Sequence, residues 1–265
     1  MQPITFLKLG GSLLTHKDQP ATSRPEVIQR AAGEIAAARR ANPDLRLLLG
    51  HGSGSFGHVP AKQHNTRAGV RNPADWLGFV EVWRQAGALN RLVMDALAKA
   101  GLPAIAFPPS AAGQAQAGHL AAWQSGPLQA ALDAGLLPVV YGDVVFDAEW
   151  GGTIASTEDV FVYLAPLLQP SRILLAGDED GVYAGYGGVD ARLLPELSAA
   201  DRASMGAGAA AGADVTGGMA GKVGAMFPLL DALPDCEIRI FSGLRPGNLA
   251  QVLAGEPLGT RLFKV

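Results

Sequence analysis

The sequence predicts an α/β fold in which a largely parallel sheet is covered by helices on both faces. Three observations carry that expectation. Short apolar runs alternate with longer amphipathic stretches almost from end to end. Hydrophobic residues make up 48% of 265 residues and charged ones 17%, enough for a sizeable core in one large domain or two small lobes sharing a sheet. Glycine turns follow or adjoin the apolar runs, and such sheets bind ligands at the carboxyl ends of their strands.

In chain order, Ile4–Leu9 reads as a buried strand followed by the Gly10-Gly11 turn. Ser23-Arg24-Pro25-Glu26 has the form of a capping box with proline in the first turn, opening a helix to about Ala41. Leu45–Leu49 is the second strand, and the loop Gly52-Ser53-Gly54-Ser55-Phe56-Gly57 follows it. From Pro73 to Ala100, Trp76, Leu77, Val80, Trp83, Ala86, Leu89, Val93 and Leu97 recur at helical spacing, as one long helix or two. Pro103–Phe107, Pro138–Phe146, Arg172–Ala176 and Glu237–Phe241 read as strands, and Thr157–Leu168 and Lys222–Leu233 as helices. The biased segment Ala203–Gly218 reads as a surface linker or a lid over a ligand, and a lobe boundary falls near Gly177.

Bulk composition excludes several classes. A formal net charge of −3 without a basic stripe argues against a nucleic-acid partner. A single cysteine, Cys236, forms no internal disulfide, and the absence of C-x-x-C and H-E-x-x-H argues against a structural zinc. The start, MQPITFLKLGG, lacks the basic and apolar regions of a signal peptide, and no apolar run approaches the ~20 residues of a membrane helix. The expectation is a soluble cytoplasmic protein with no membrane partner.

Gly52–Gly57 matches G-x-G-x-x-G, but a dinucleotide site needs a helix starting inside the motif and an acid about 20 residues on. Here Val59-Pro60 follows at once, and Asp75 stands at the start of a helix. The glycine sites make more sense jointly: Lys8-Leu9-Gly10-Gly11-Ser12, then Gly52–His58, Tyr141-Gly142-Asp143, and Asp214-Val215-Thr216-Gly217-Gly218 ahead of Lys222. Glycine lets backbone N–H groups approach an anion, and several such loops converging point to a polyphosphate. The chain has six lysines against fifteen arginines, yet Lys8, Lys17 and Lys222 lie in or beside glycine-rich turns. A compact ammonium suits a phosphoryl group in transfer. Gly217–Lys222 is not a Walker loop, because Thr216 and Val223 stand where glycine and Ser or Thr are required.

With these motifs the chain resembles the amino acid kinase superfamily, and within it the isopentenyl phosphate kinases, with fosfomycin kinases as near relatives. The resemblance runs the full length through KLGGSLLTHK (8–17), HGSGSFGH (51–58), PVVYGDVVFD (138–147), DGVY (180–183) and DVTGGMAGK (214–222). It implies an open three-layer αβα sandwich, ATP with Mg²⁺ carried by the nucleotide, a homodimer, and a place in isoprenoid biosynthesis. An acceptor lobe would span residues 1–176 and an ATP lobe 177–265, on one continuous sheet. Lys8 and Lys17 would contact the transferring phosphoryl group, with Lys17 stabilising the transition state. Gly10, Gly11, Ser12 and Gly54 would hold ATP phosphates through backbone N–H groups. Gly217, Gly218, Lys222 and Asp178 would grip ATP from the second lobe. His58 would bind the acceptor phosphate, and Phe79 and Trp83, with Trp76, Val80, Ala86, Phe146 and Ile154, would line a slot for its apolar tail.

Two departures from the family pattern bear on the substrate. Ser53 stands where glycine is usual; it still supplies a backbone N–H to the acceptor phosphate and adds a hydroxyl. The usual S-G-D is here Ser156-Thr157-Glu158-Asp159, so Glu158 or Asp159 would organise the lysines and Thr157 would face the acceptor phosphate. A phosphonate kinase and a nucleotide-binding regulatory module without turnover stay open as alternatives.

Overall fold

The computed structural model describes residues 3–186, 189–198, 200 and 217–264. Residues 203–216 of the linker or lid segment, including the Asp214–Thr216 part of the last motif, lie outside them.

The strands are β1 (Ile4–Leu9), β2 (Arg46–His51), β3 (Ala104–Ala106), β4 (Gly113–Gln116), β5 (His119–Trp123), β6 (Leu137–Tyr141), β7 (Asp143–Asp147), β8 (Gly151–Ala155), β9 (Arg172–Gly177), β10 (Tyr183–Ala184), β11 (Arg192–Leu193), β12 (Glu196–Ser198), β13 (Glu237–Ser242) and β14 (Thr260–Phe263). The helices are α1 (Gly11–Leu14), α2 (Pro25–Ala41), α3 (Gly54–Gln63), α4 (Pro73–Lys99), α5 (Pro109–Ala112), α6 (Ser125–Asp133), α7 (Thr157–Leu168), α8 (Gly217–Ala232) and α9 (Asn248–Leu253). An eight-stranded sheet in the order β12-β14-β13-β9-β1-β2-β6-β3 forms the centre. Every neighbouring pair in it is parallel except β13–β14. A smaller sheet, β5-β4-β7-β8, stands beside it.

Alternation along the buried strands assigns the two faces. Phe6, Leu48 and Ile173 pack with Leu128 of α6, Phe161 and Leu164 of α7, and Met226 and Leu230 of α8. Leu7, Leu49 and Leu174 pack with Ile28 and Ile35 of α2, Leu89 and Val93 of α4, and Leu249 of α9. The result is the three-layer αβα sandwich. No helix among the described residues is long and apolar enough to cross a membrane.

Three local expectations are corrected. The α2 N-cap is Arg24 with no side-chain cap, so Ser23 and Glu26 form no capping box; α2 starts on Pro25, whose missing N–H would have been unsatisfied there anyway. Reciprocal boxes occur instead at Asn72/Asp75 and Ser156/Asp159. The stretch 138–146 is two strands, because Gly142 ends β6 and the chain turns into the smaller sheet at Asp143. Val59-Pro60 does not stop a helix: α3 starts inside the glycine motif and runs through Pro60, which is buried along with Phe56. The dinucleotide reading still fails, because Asp75 is spent on capping α4.

Candidate active site

The order β2-β1-β9 sets three strand ends side by side, and the loops leaving them meet. Gly10 donates its N–H to Ala176 O (2.8 Å) and Gly52 donates to Leu9 O (2.9 Å). The first two loops then touch backbone to backbone. A Cβ on Gly11 would lie 2.4 Å from Gly54 N, and one on Gly52 would lie 2.7 Å from Gly11 N. Gly54 also has φ +50°, a conformation glycine adopts without steric cost. Thr15, 1% exposed, clamps the junction: its hydroxyl donates to Gly11 O (2.8 Å) and accepts from Ser55 N (3.0 Å). Gly54 opens α3, so this loop presents a helix N-terminus, while Ser12 lies in α1, directly after the Gly10-Gly11 turn.

The lysines gather on the same edge. Lys8 shares its face of β1 with Phe6, toward α7, and its buried ammonium pairs with Glu158 Oε1 at 2.7 Å. Glu158 sits in the first turn of α7, where the helix dipole favours a carboxylate. Burial alone would raise its pKa, but Lys8, by charge and hydrogen bond, then its own backbone N–H and Lys222 hold it below the usual range. Lys17 Nζ lies 3.1 Å from Asp178 Oδ2, beyond the end of β9, with over half its side chain exposed. Lys222, from α8, places Nζ 3.1 Å from where a Cβ on Gly177 would be. Burial and then Lys8 push Lys222 down to about 8, with Glu158 and Asp178 opposing. Three ammonium groups and two carboxylates thus share one field. Gly217 and Gly218 form the first residues of α8.

Of the two candidate acids, Glu158 touches Lys8; Asp159 caps α7 through Ser156 and pairs with Arg67 at 3.1 Å. His58 lies on an exposed turn of α3. Desolvation, then Lys8, lower its pKa, with Glu158 pulling the other way. Thr157 departs from expectation: its side chain is buried and its hydroxyl donates to His51 O at 2.6 Å, so its proton is not free for an acceptor phosphate. A Cβ on Gly142 would lie 3.6 Å from Ser53 N and 3.7 Å from both Ser53 Oγ and Thr157 Oγ1, so the bare glycine leaves open the space these residues flank.

Beside this edge, Phe79 is buried with Val70, Val82 and Val144, and Ile154 packs against them. Its ring meets Trp76 (centroids 5.2 Å) and Phe146 (5.3 Å), both partly exposed. These residues form an apolar cradle. Trp83 is not brought into that ring cluster; one turn further along α4 than Phe79, it stands half exposed. Val80 is likewise exposed, and Ala86 is wholly in the core.

Sequence reasoning attached no role to Thr15, His51 or Asp143. His51 is fully buried, its ring stacked on Tyr141 (5.3 Å, 5°), and burial drives it down to about 4. Asp143 accepts from Ser110 Oγ (2.7 Å) and its own neighbour's N–H, and burial still lifts it to about 6. The available signal was a polar residue closing an apolar run for His51 and one interrupting an apolar run for Asp143.

For a metal, the described residues contain no cluster of three or more His, Cys, Asp or Glu side chains. Asp178 Oδ1 is buried without a hydrogen-bond partner, one free carboxylate oxygen beside the glycine loops. That donor set fits an ion that keeps water and phosphate ligands, as Mg²⁺ does, and not an all-protein cage.

Residues 3–242 match the sequence profile of the amino acid kinase family. The chain is 36% identical to the isopentenyl phosphate kinase of Methanothermobacter thermautotrophicus over 97% of its own length and 98% of the relative's. Among solved structures, an isopentenyl phosphate kinase superposes with a TM-score of 0.84 at 31% identity, covering 98% of this chain and 99% of that one. The product complex of the Thermoplasma acidophilum isopentenyl phosphate kinase superposes with a TM-score of 0.78 at 26% identity, covering 98% and 99%.

Proposed function

The chain belongs to the amino acid kinase family, and from that premise we propose that it transfers the γ-phosphoryl group of ATP to isopentenyl phosphate, giving isopentenyl diphosphate. The observation that carries the reading is the meeting of Lys8, Lys17 and Lys222 with two glycine loops at one sheet edge, beside an apolar cradle.

A phosphate monoester has its second pKa near ~6, so at neutral pH the acceptor is mostly a dianion and needs no general base. The chemistry requires two anions held in line against their mutual repulsion. Lys8 and Lys17 neutralise the group in transfer. The N–H groups of Gly10, Gly11, Ser12 and Gly54, with Gly217, Gly218 and Lys222 from the other side, hold the nucleotide phosphates. His58 and the Ser53 N–H hold the acceptor phosphate, His58 as hydrogen-bond donor. Glu158 keeps Lys8 oriented. Phe79, Trp76 and Phe146 take the prenyl tail. Mg²⁺ bound to the nucleotide, with Asp178 as a ligand directly or through water, would neutralise phosphate charge. In this reading residues 1–176 bind the acceptor and 177–265 the nucleotide, and the enzyme works as a cytoplasmic homodimer.

The test is a coupled ADP-release assay with isopentenyl phosphate and with fosfomycin, and ³¹P NMR of the product. A diphosphate resonance and preference for the prenyl substrate are expected. Preference for fosfomycin, or no turnover of either acceptor, refutes the assignment.

A further inference from the structure

The inference rests on the reading just given, and its subject is a side chain that reading leaves idle. His51 closes β2 with no solvent exposure and reaches three other elements, β6, α7 and α4. Its backbone carbonyl accepts from Gly142 N (3.1 Å) after β6 and from Thr157 Oγ1 (2.6 Å) at the start of α7. Its ring stacks on Tyr141. Nε2 lies 3.1 Å from Asn90 Nδ2 of α4, and Nδ1 lies 3.1 Å from the Gly52 carbonyl oxygen. An amide nitrogen only donates, so Nε2 must accept and the proton must sit on Nδ1, where it is given to Gly52 O.

That contact has a consequence on the far side of the peptide. A trans peptide is planar, with its C=O and the following N–H pointing in opposite directions. Holding Gly52 O inward therefore turns the Ser53 N–H outward, toward the space left by the bare Gly142. Among the described residues nothing accepts from that N–H. We propose that His51 is a positioning residue: through Nδ1–H it fixes the Gly52–Ser53 peptide and so aims the Ser53 N–H at the acceptor phosphate. Asn90 sets the tautomer and Tyr141 the ring plane.

Two amide replacements separate this role from simple packing, since both lose the Tyr141 stack. Asn places its nitrogen near the position of Nδ1, and Gln near that of Nε2. His51→Gln should raise the KM for isopentenyl phosphate about tenfold to a hundredfold, the worth of one hydrogen bond to a charged group, with the ATP KM within about twofold. His51→Asn should restore most of the loss. Ser53→Pro deletes the N–H at φ −80°, an angle proline accepts, and should match His51→Gln. The double variant should be no worse than either single one. Equal damage from Asn and Gln, a parallel rise in both KM values, or multiplying effects in the double variant would overturn the proposal. If the unaltered enzyme fails to turn over isopentenyl phosphate, the functional reading falls, and the amide resonance of Ser53 titrated with inorganic phosphate decides this inference separately. The resonance should shift in the unaltered protein and not in His51→Gln; no shift in the unaltered protein refutes it. Should His51→Gln fail to fold, Ser53→Pro and the titration of the unaltered protein decide.

Discussion

Replacing Gly11 by alanine tests whether the two glycine loops must touch. The new methyl would start 2.4 Å from Gly54 N and 2.6 Å from Gly54 Cα, both backbone atoms that cannot swing aside. Restoring ordinary contact requires the loops to part by about 1 Å, and that movement strains the Thr15 clamp on Gly11 O and Ser55 N. Overpacking plus the loosened hydrogen bonds should cost roughly 2–4 kcal/mol, or about 4–16 °C in Tm for a chain of this size. A misplacement of about 1 Å in a phosphoryl-transfer site should lower kcat roughly 10²-fold. Gly33→Ala is the control: it lies in α2 with nothing within 4 Å of its would-be Cβ, and should stabilise by about 0.5–1 kcal/mol without touching kinetics. The assays are coupled ADP release with both substrates varied and calorimetric melting. Turnover in Gly11→Ala equal to that of Gly33→Ala would refute the claim that this contact builds the site.

Three further outcomes are expected. Lys17→Ala should depress kcat by roughly 10²-fold or more while His58→Ala chiefly raises the acceptor KM, and equal losses of ATP affinity in both would contradict the assigned roles. Glu158→Gln strands the buried Lys8 ammonium, so kcat and Tm should fall together, by several kcal/mol in stability, with Glu158→Asp intermediate; an unchanged melting curve would be incompatible with the pair. On acidification from pH 6.5 to 4 the unfolded chain protonates His51 before the folded one does, which lowers stability, while folded Asp143 gains its proton near pH 6, before the unfolded chain, which raises it. Each amounts to about 3 kcal/mol and they nearly cancel, so Asp143→Asn should steepen acid unfolding and His51→Asn should reverse it; identical pH slopes in urea titrations would rule this out.

The sequence was most legible where punctuation agreed with period. β1, α2 and α7 fall on the predicted residues because Gly10, Pro25 and the Ser156 cap bound uniform apolar patterns. It was least legible in 113–123, where alanine, glutamine and glycine carry no strand signal. That hairpin is held by Asp147, which accepts from Ala117 N and Gly118 N from another strand. Pro60 misled in the opposite sense: the lost N–H of one residue is outweighed when Phe56 and Pro60 are both buried and α3 lies along α4. At the site, Lys8 and Glu158 are 150 residues apart, and their contact follows from sheet order, which no local pattern encodes. Motifs could name the lysines; only topology could choose Glu158 over Asp159.

The two ion pairs of the site divide stability from chemistry. Lys8 is 5% exposed and Glu158 17%, so their attraction acts in a poorly screened interior, and Glu158 holds a charge that burial would otherwise disfavour. Lys17 is 55% exposed in its pair with Asp178, where solvent reduces the contribution to fold stability to little. Lys222 has no acid of its own at contact distance among the described residues, and its pKa drops to about 8 as burial and Lys8 act on it. Three cations facing two carboxylates leave this group net positive by one charge. In the proposed reaction a nucleotide phosphate would supply the counter-charge that Lys222 lacks, and Lys8 and Lys17 would offset the repulsion between the two anions. Damage at Glu158 must therefore register in both melting and turnover, whereas damage at Lys17 registers in turnover alone.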